Sequence, residues 1–387
     1  MKITQEEKER YSRHLLLPGF ETRHQAMLKN GSVLVIGLGG LGGPAALYLA
    51  AAGVGRLGLV DFDRVDLHNL QRQILYTESD VGLLKCVSAS ERLRALNGSV
   101  ALEVHECGLN AGNAIQLFAQ YDVILDGSDN FATRFLVNDA SRMAGKPLVY
   151  GSLFQWEGQV TVFNRNSESP CYRCLFPEPP APGSVPNCNE AGVIGALPGV
   201  IGSLQAMETI KLLTGLGEPV EGLMLVMDLL RGKVRSVKLP KDPDCPLCGR
   251  KPRIERIEEG SYPVPCLLPD AVAASDRETG RAVPLSVSVE TASALMRQGK
   301  VRILDVREPD EHAICQIPGS VLLPMGLIPQ RHDQLARDTW WVVVCHHGMR
   351  SERVCRYLRS IGISGVSNLE GGIDAWADRI SPDMDRY

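Results

Sequence analysis

The sequence has no surplus of cations. Its 41 Lys and Arg stand against 45 Asp and Glu, a formal charge of −4. Proteins that grip duplex nucleic acid ordinarily carry a basic excess, so no nucleic-acid partner is expected. The first ten residues, Met1-Lys-Ile-Thr-Gln-Glu-Glu-Lys-Glu-Arg10, have no apolar signal core, and secretion is not expected. There is no internal repeat. One stretch, Gly31 to Gly55, runs without charge for the length of a membrane span. It holds eight glycines and Pro44 and parses as strand, glycine-rich turn and helix, so no membrane segment is expected either. The cytoplasm is the expected compartment. What is present is ordinary for a folded protein: 387 residues, 44 % hydrophobic and 22 % charged, enough for two or three domains. Eleven cysteines are an odd count. Four fall in two Cys-x-x-Cys pairs, which in a reducing compartment suggest a metal before a disulfide.

Hydrophobic patterning organises the chain. Residues 1–30 read as amphipathic helix. Ser32–Ile36 is a short buried strand, Gly37–Gly43 a turn, Pro44–Ala52 a helix, and Arg56–Val60 a second strand ending at Asp61. This β-α-β unit predicts a parallel sheet. Helices over Lys85–Leu96, Asn113–Gln120 and Arg134–Ala144 alternate with strands Ala101–His105, Asp122–Asp126 and Leu148–Tyr150. Gly158–Phe163, Gly222–Asp228 and Lys233–Leu239 read as later strands, and Ile194–Leu213 as one long apolar helix. Phe176–Pro186 is a proline-rich loop. Composition changes near Gly249, and 250–285 reads as a linker. A flexible segment of that length spans about 35 Å. From 286 to 387 a second, small α/β pattern begins: helix Val289–Gln298, strands Val301–Val306 and Trp341–Cys345, helix Ser351–Ile361.

Gly37-Leu-Gly39-Gly40-Leu-Gly42 matches G-x-G-x-x-G between strand and helix. Such glycines let backbone approach phosphates at a helix N-terminus. Asp61 ends the next strand, where a carboxylate can take ribose hydroxyls. NAD binding is therefore a live alternative. Downstream residues favour a triphosphate. Asp63 is followed by Asn69-Leu-Gln-Arg72-Gln73 and by Lys85, and two cations suit phosphates better than a redox ring. Asp129 and Asn130 follow another strand end. Asp129 is a plausible Mg²⁺ ligand, the alternative being a helix N-cap.

These motifs, with Glu157-Gly-Gln-Val-Thr-Val-Phe163 and Cys171-Tyr-Arg-Cys174, stand in the order found in one family. Residues 1–249 resemble the MoeB/ThiF/HesA adenylyltransferases, relatives of ubiquitin-activating enzymes. The resemblance implies a Rossmann-like ubiquitin-activating-type α/β fold with a mostly parallel sheet. It implies adenylation of the C-terminal glycine carboxylate of a small ubiquitin-like sulfur carrier. It implies ATP or Mg²⁺ contacts from Gly40, Asp61, Asn69, Arg72, Lys85, Asp129 and Asn130. Arg13 would reach the phosphates of the neighbouring subunit in a homodimer. His68 and Gly43 depart from the usual Ser and Cys of the family, and neither change removes a catalytic group.

Cys171-x-x-Cys174 and Cys245-x-x-Cys248 form a split tetrathiolate, the ligand set of a closed, structural Zn²⁺ site. Cys188, just after the proline-rich loop, is a candidate nucleophile; family members carry a cysteine there, and some use it to hold the carrier. Cys86, Cys107 and Cys266 read as packing residues. Cys345-His-His-Gly-Met-Arg350-Ser351 follows an apolar strand and opens a helix. Loop amides and Arg350 favour a thiolate. Adjacent His346 and His347 point differently, which argues against a metal site. The loop resembles the Cys-x-x-Gly-x-Arg-Ser signature of single-domain rhodaneses, supported by Asp305-Val-Arg307-Glu308, Ile317-Pro-Gly-Ser320 and Glu370-Gly-Gly-Ile-Asp-Ala-Trp376. Cys315-Gln316 and Glu311-His312 depart from the usual Gly-His and aromatic. The fusion implies carrier adenylation, then sulfur transfer from a Cys345 persulfide, loaded from a persulfide or thiosulfate, to a carrier ending in Gly-Gly. A non-catalytic docking module and an NAD-dependent oxidoreductase are the alternatives.

Overall fold

The computed structural model describes residues 3–106, 108–180, 192–258, 262, 283–337 and 339–386. The chain divides into two compact units, Met1–Pro269 and Asp270–Tyr387.

The first unit is built on an eight-stranded sheet: β1 Ser32–Ile36, β2 Arg56–Val60, β3 Ala101–His105, β4 Val123–Asp126, β5 Leu148–Phe154, β6 Glu157–Phe163, β7 Leu223–Asp228 and β8 Lys233–Lys238. Their order is β3-β2-β1-β4-β5-β6-β7-β8. The first five strands in that order pair in parallel, and β6 to β8 continue antiparallel. In β1 every residue is buried. Val33 and Val35 enter one core with Ala46, Leu49 and Leu57, while Leu34 and Ile36 enter another with Phe118, Ile124 and Phe135. A strand with period-two side chains and helices on both faces must be apolar throughout, which is the composition Ser-Val-Leu-Val-Ile shows.

The order reverses between β1 and β4, where β1 passes to β2 on one side and β4 lies on the other. Their ends coincide, Ile36 opposite Asp126. Such a switch point leaves a crevice at the carboxyl edge of a parallel sheet. The helix Ala196–Thr214 is largely apolar and is packed against the helix Gly42–Ala52 and strand β5. Of its buried polar side chains, Gln205 donates to the Asp126 carbonyl at 2.7 Å and Glu208 pairs with Lys211 at 2.6 Å.

Element ends differ from the sequence expectation where a cap or a hairpin decides them. The glycine-rich helix begins at Gly42, ahead of Pro44. The helix expected from Arg134 begins at Phe131, because Asn130 Oδ1 accepts the Thr133 amide at 2.9 Å. Strand β5 continues to Phe154, where a tight hairpin joins it to β6, Phe154 opposite Glu157. Beyond Gly249 the chain still packs on this unit: Ile257 and Tyr262 join its core, and Tyr262 donates to buried Asp139 at 2.5 Å.

The second unit is a five-stranded parallel sheet: β9 Ser286–Val287, β10 Arg302–Asp305, β11 Val321–Leu322, β12 Trp341–Val344 and β13 Val366–Leu369, in the order β11-β10-β12-β13-β9. Strand β12 repeats the logic of β1. Val343 packs with Val354 and Leu358 on one face, Val342 and Val344 with Ile373 and Trp376 on the other. Helices Pro309–Ile314 and Gly372–Arg379 and strand β13 are not evident from periodicity, since each is shorter than three helical turns or five strand residues.

Candidate functional sites

The crevice at the β1–β4 switch point gathers Gly37, Gly39, Gly40, Asp61, Asp63, Arg72, Gln73, Lys85, Asp129 and Asn130 around one cleft. Gly37 has φ of +80°, and a side chain at Gly42 would lie 1.9 Å from the Gly37 carbonyl. The turn therefore requires glycine at both places. Asp61 holds it: Oδ2 accepts the Leu38 amide at 2.7 Å and Oδ1 the Asp63 amide at 2.8 Å. Burial pushes the Asp61 carboxyl above its ordinary range, opposed by the nearby Lys85 charge. Each carboxylate oxygen keeps a further lone pair, as a ribose hydroxyl needs.

Lys85 is no surface charge. It is buried, and its Nζ lies 3.0 Å from Asp63 Oδ2. Tyr76 ties this region to the glycine turn, its hydroxyl 2.8 Å from the Leu38 carbonyl. Asn69 does not line the cleft. Its carbonyl accepts the amides of Arg72 and Gln73 at 3.0 and 2.9 Å, so it sets the turn that presents both. Asp129 stands exposed at the rim, and the capping role falls to Asn130. Two buried polar atoms on the cleft wall, Gln73 Oε1 and Ser128 Oγ, have no partner among the described residues. Buried polar groups are ordinarily paired, so both suit a polar ligand such as a nucleotide. Sequence reasoning missed Ser128 and Arg134. Arg134 is buried, lines the cleft and lies over the Tyr150 ring at 5.6 Å. Its place one turn beyond Asn130, in the first turns of the helix that starts at the cleft, was the available signal. Arg13 is exposed on the short helix Ser12–Leu15 and is not among the residues around the cleft. Cys188 lies outside the described residues, as do Cys107 and Cys266.

Cys171, Cys174, Cys245 and Cys248 converge, their sulfurs all within 4.8 Å of one another. Three of the separations are 3.9, 3.6 and 3.4 Å. A tetrahedral ion with sulfur ligands at about 2.3 Å sets them about 3.8 Å apart, so the four thiols fit one metal ion. Beside them Arg173 grips Asp139 with Nε and NH2, both at 2.8 Å, and Asp139 is fully buried. The Cys-Tyr-Arg-Cys motif thus anchors the knuckle to the helix Phe131–Ala144.

In the second unit Cys345 directly follows β12 and is 1 % exposed. Its Sγ accepts the Gly348 amide at 3.2 Å, and Ser351 Oγ lies at the same distance. Gly348, at φ +96°, turns the loop back so that its amide faces the sulfur. Ser351 Oγ also lies 2.7 Å from Asn368 Oδ1 on β13. The Gly348 carbonyl lies 3.0 Å from the same oxygen, and since a hydroxyl donates one proton, Asn368, this carbonyl and the sulfur compete for it. Arg350 forms a two-point pair with Glu311 at 2.7 and 2.5 Å. Asp305 and Arg307 form a fully buried ion pair, and Arg307 also donates to the carbonyls of Glu311 and Cys315. His346 and His347 stack with centroids 3.9 Å apart, and burial holds His346 below its ordinary pKa.

Residues 11–247 match the ThiF family, and residues 288–379 match the rhodanese-like domain. The probable adenylyltransferase/sulfurtransferase MoeZ of Mycobacterium tuberculosis is 42 % identical over 390 residues, covering 100 % of this chain and 96 % of the relative. The adenylyltransferase and sulfurtransferase MOCS3 of Aedes aegypti is 40 % identical over 401 residues, covering 100 % and 90 %. The sulfur carrier protein adenylyltransferase of Thermus thermophilus is 49 % identical over 256 residues, covering 65 % and 94 %. A crystal structure of Escherichia coli MccB shares the fold at TM-score 0.57 and 22 % identity, covering 63 % of this chain and 75 % of that one. Among the described residues no helix is long and apolar enough to cross a membrane. The chain thus belongs to the ThiF family, carries a rhodanese-like domain, and is an adenylyltransferase and sulfurtransferase.

Proposed function

We propose that the cleft adenylates the C-terminal glycine of a small ubiquitin-like sulfur carrier ending in Gly-Gly, and that Cys345 then supplies sulfur to make its thiocarboxylate. The observation that carries the first half is the convergence of the glycine turn, Asp61, Lys85, Arg72 and Asp129 on one cleft. A carboxylate is a poor electrophile. Its attack on the α-phosphorus of ATP breaks the α–β anhydride, releases pyrophosphate and leaves an acyl-adenylate. Charge gathers on the phosphates, so this step calls for preorganised cations rather than a side-chain nucleophile. Lys85, Arg72 and Arg134 supply them from this chain. Asp129 is the residue to hold Mg²⁺, which would neutralise phosphate charge. In a homodimer Arg13 would add a further cation to the partner's phosphates. In the second half the outer sulfur of a Cys345 persulfide attacks the acyl carbon and AMP leaves. Cys188 is proposed to cleave the resulting acyl disulfide, freeing the thiocarboxylate and leaving a disulfide for an external thiol to reduce. Tethering both modules raises their effective concentration for each other. The domain limits we propose are 1–249 and 286–387, joined by 250–285, of which Ile257 and Tyr262 pack on the first unit, and the proposed compartment is the cytoplasm.

ATP–pyrophosphate exchange tests the adenylation reading. It should depend on a carrier with a free terminal glycine, and exchange that ignores the carrier would contradict it. NAD should leave the Tm unchanged where ATP with Mg²⁺ raises it.

We also propose Zn²⁺ as the ion of the four thiolates, in a structural role. Structural zinc contributes on the order of 10 kcal/mol to folding in small domains, so it should persist through purification. Elemental analysis is expected to find one zinc per chain. Zinc-free, folded protein with all four thiols open to alkylation would rule the site out.

A further inference from the structure

Arg350, in the first turn of the helix Met349–Ser360 that follows the Cys345 loop, is matched to a carboxylate held in place by the fold. Its NH1 donates to Glu311 Oε2 at 2.7 Å and its NH2 to Glu311 Oε1 at 2.5 Å, the two-point geometry that makes guanidinium–carboxylate pairs strong. The side chains are only 26 % and 22 % exposed. Glu311 is fixed independently of Arg350. Its Oε2 also accepts the Glu308 amide at 2.9 Å, and its carbonyl accepts Arg307 NH1 at 3.2 Å. Arg307 in turn is clamped to Asp305, with neither side chain exposed. Burial and the neighbouring His347 hold His346 below its ordinary pKa, and His347 Nδ1 lies 3.9 Å from a second carboxylate, Asp374.

We propose that Glu311 is a positioning residue that sets the choice of sulfur donor. By engaging both outer nitrogens of Arg350 it discriminates against small dianionic donors and favours donors of lower charge. The inference rests on the reading of Cys345 as the persulfide-forming sulfur. With thiosulfate, the Cys345 thiolate attacks the outer sulfur, the donor's S–S bond breaks, and its electron pair leaves with sulfite. Two negative charges must be met at the loop, and the guanidinium that would meet them is already matched. Methanethiosulfonate undergoes the same bond change, with methanesulfinate leaving, but brings one charge fewer. The pair of donors therefore isolates charge from sulfur chemistry.

Sulfur transfer to cyanide reads donor use, because cyanide takes the outer persulfide sulfur as thiocyanate and returns the Cys345 thiolate. Glu311→Gln is expected to raise kcat/KM for thiosulfate about fivefold, through KM, while the methanethiosulfonate value changes less than about twofold. Glu311→Asp, which keeps the charge, should retain the wild-type preference. An unchanged ratio between the two donors in Glu311→Gln overturns the proposal. If that variant does not fold, alkylation of wild-type Cys345 decides. Mass spectrometry of the Cys345 peptide should show iodoacetate lagging iodoacetamide by more than it does on free glutathione, and an equal lag overturns the proposal. Retention of cyanide sulfurtransfer in Cys345→Ala is a separate outcome, which would remove the underlying reading of Cys345 itself.

Discussion

Asp129→Ala is expected to abolish carrier-dependent ATP–pyrophosphate exchange while the protein stays folded. Asp129 stands exposed at the cleft rim, one residue beyond buried Ser128, where the chain leaves β4 for the helix Phe131–Ala144. That helix does not need it, since Asn130 supplies the cap. The carboxylate is thus not needed for the cap and stands among the residues lining the cleft. Loss of a metal ligand at such a place removes on the order of several kcal/mol of transition-state stabilisation, which is at least a hundredfold in rate. Circular dichroism and Tm should be unchanged. Exchange near the wild-type rate in this variant would remove Asp129 from the metal role.

Cys345→Ala should divide the two activities. The cleft residues all precede Gly249, so exchange is expected at the wild-type rate. Sulfur transfer from thiosulfate or a persulfide to cyanide should vanish. The reason is local. Cys345 Sγ alone receives the Gly348 amide, and the fold spends a left-handed glycine to aim that amide. The other described cysteine of this unit with a buried environment, Cys355, sits in the core among Val354 and Leu358, and burial pushes its thiol up to about 12. It cannot replace a thiolate nucleophile. Free sulfide at high concentration should partly restore thiocarboxylate formation in the variant, because sulfide attacks the acyl-adenylate without the persulfide.

That the first unit's site residues share one cleft was legible because a parallel sheet converts sequence order into spatial order. Glycine turn, Asp61 and Asp129 each follow a strand, so all three arrive at the same edge. The four cysteines were legible for a different reason: paired Cys-x-x-Cys spacing leaves few alternatives, and the sulfurs do converge. Side chains whose role depends on the third dimension were not legible. Arg134 and Ser128 read as ordinary helix and turn residues until the cleft closes around them. Asn69 reads as a ligand, whereas its contacts set the turn carrying Arg72 and Gln73. Arg350 reads as a lone cation beside a thiol. Glu311, which matches it, lies far away in sequence and is brought in by the buried Asp305–Arg307 pair. Breaking one partner of such a pair costs about 3–5 kcal/mol, so the Asp-Val-Arg motif marks a scaffold under the loop. The short elements β9, β11 and β13 were hidden because two to four residues carry no measurable period.

The central claim is that one polypeptide activates a carrier carboxylate and then delivers sulfur to it. Intact-mass spectrometry of the carrier tests this most directly. A Gly-Gly carrier is incubated with the protein, ATP, Mg²⁺ and a persulfide donor. The account predicts that the carrier gains the mass by which sulfur exceeds oxygen, that Asp129→Ala gives no gain, and that Cys345→Ala stops at the acyl-adenylate formed with ATP. A carrier that keeps its mass with the wild-type protein, or gains sulfur equally well with Cys345→Ala, would contradict it.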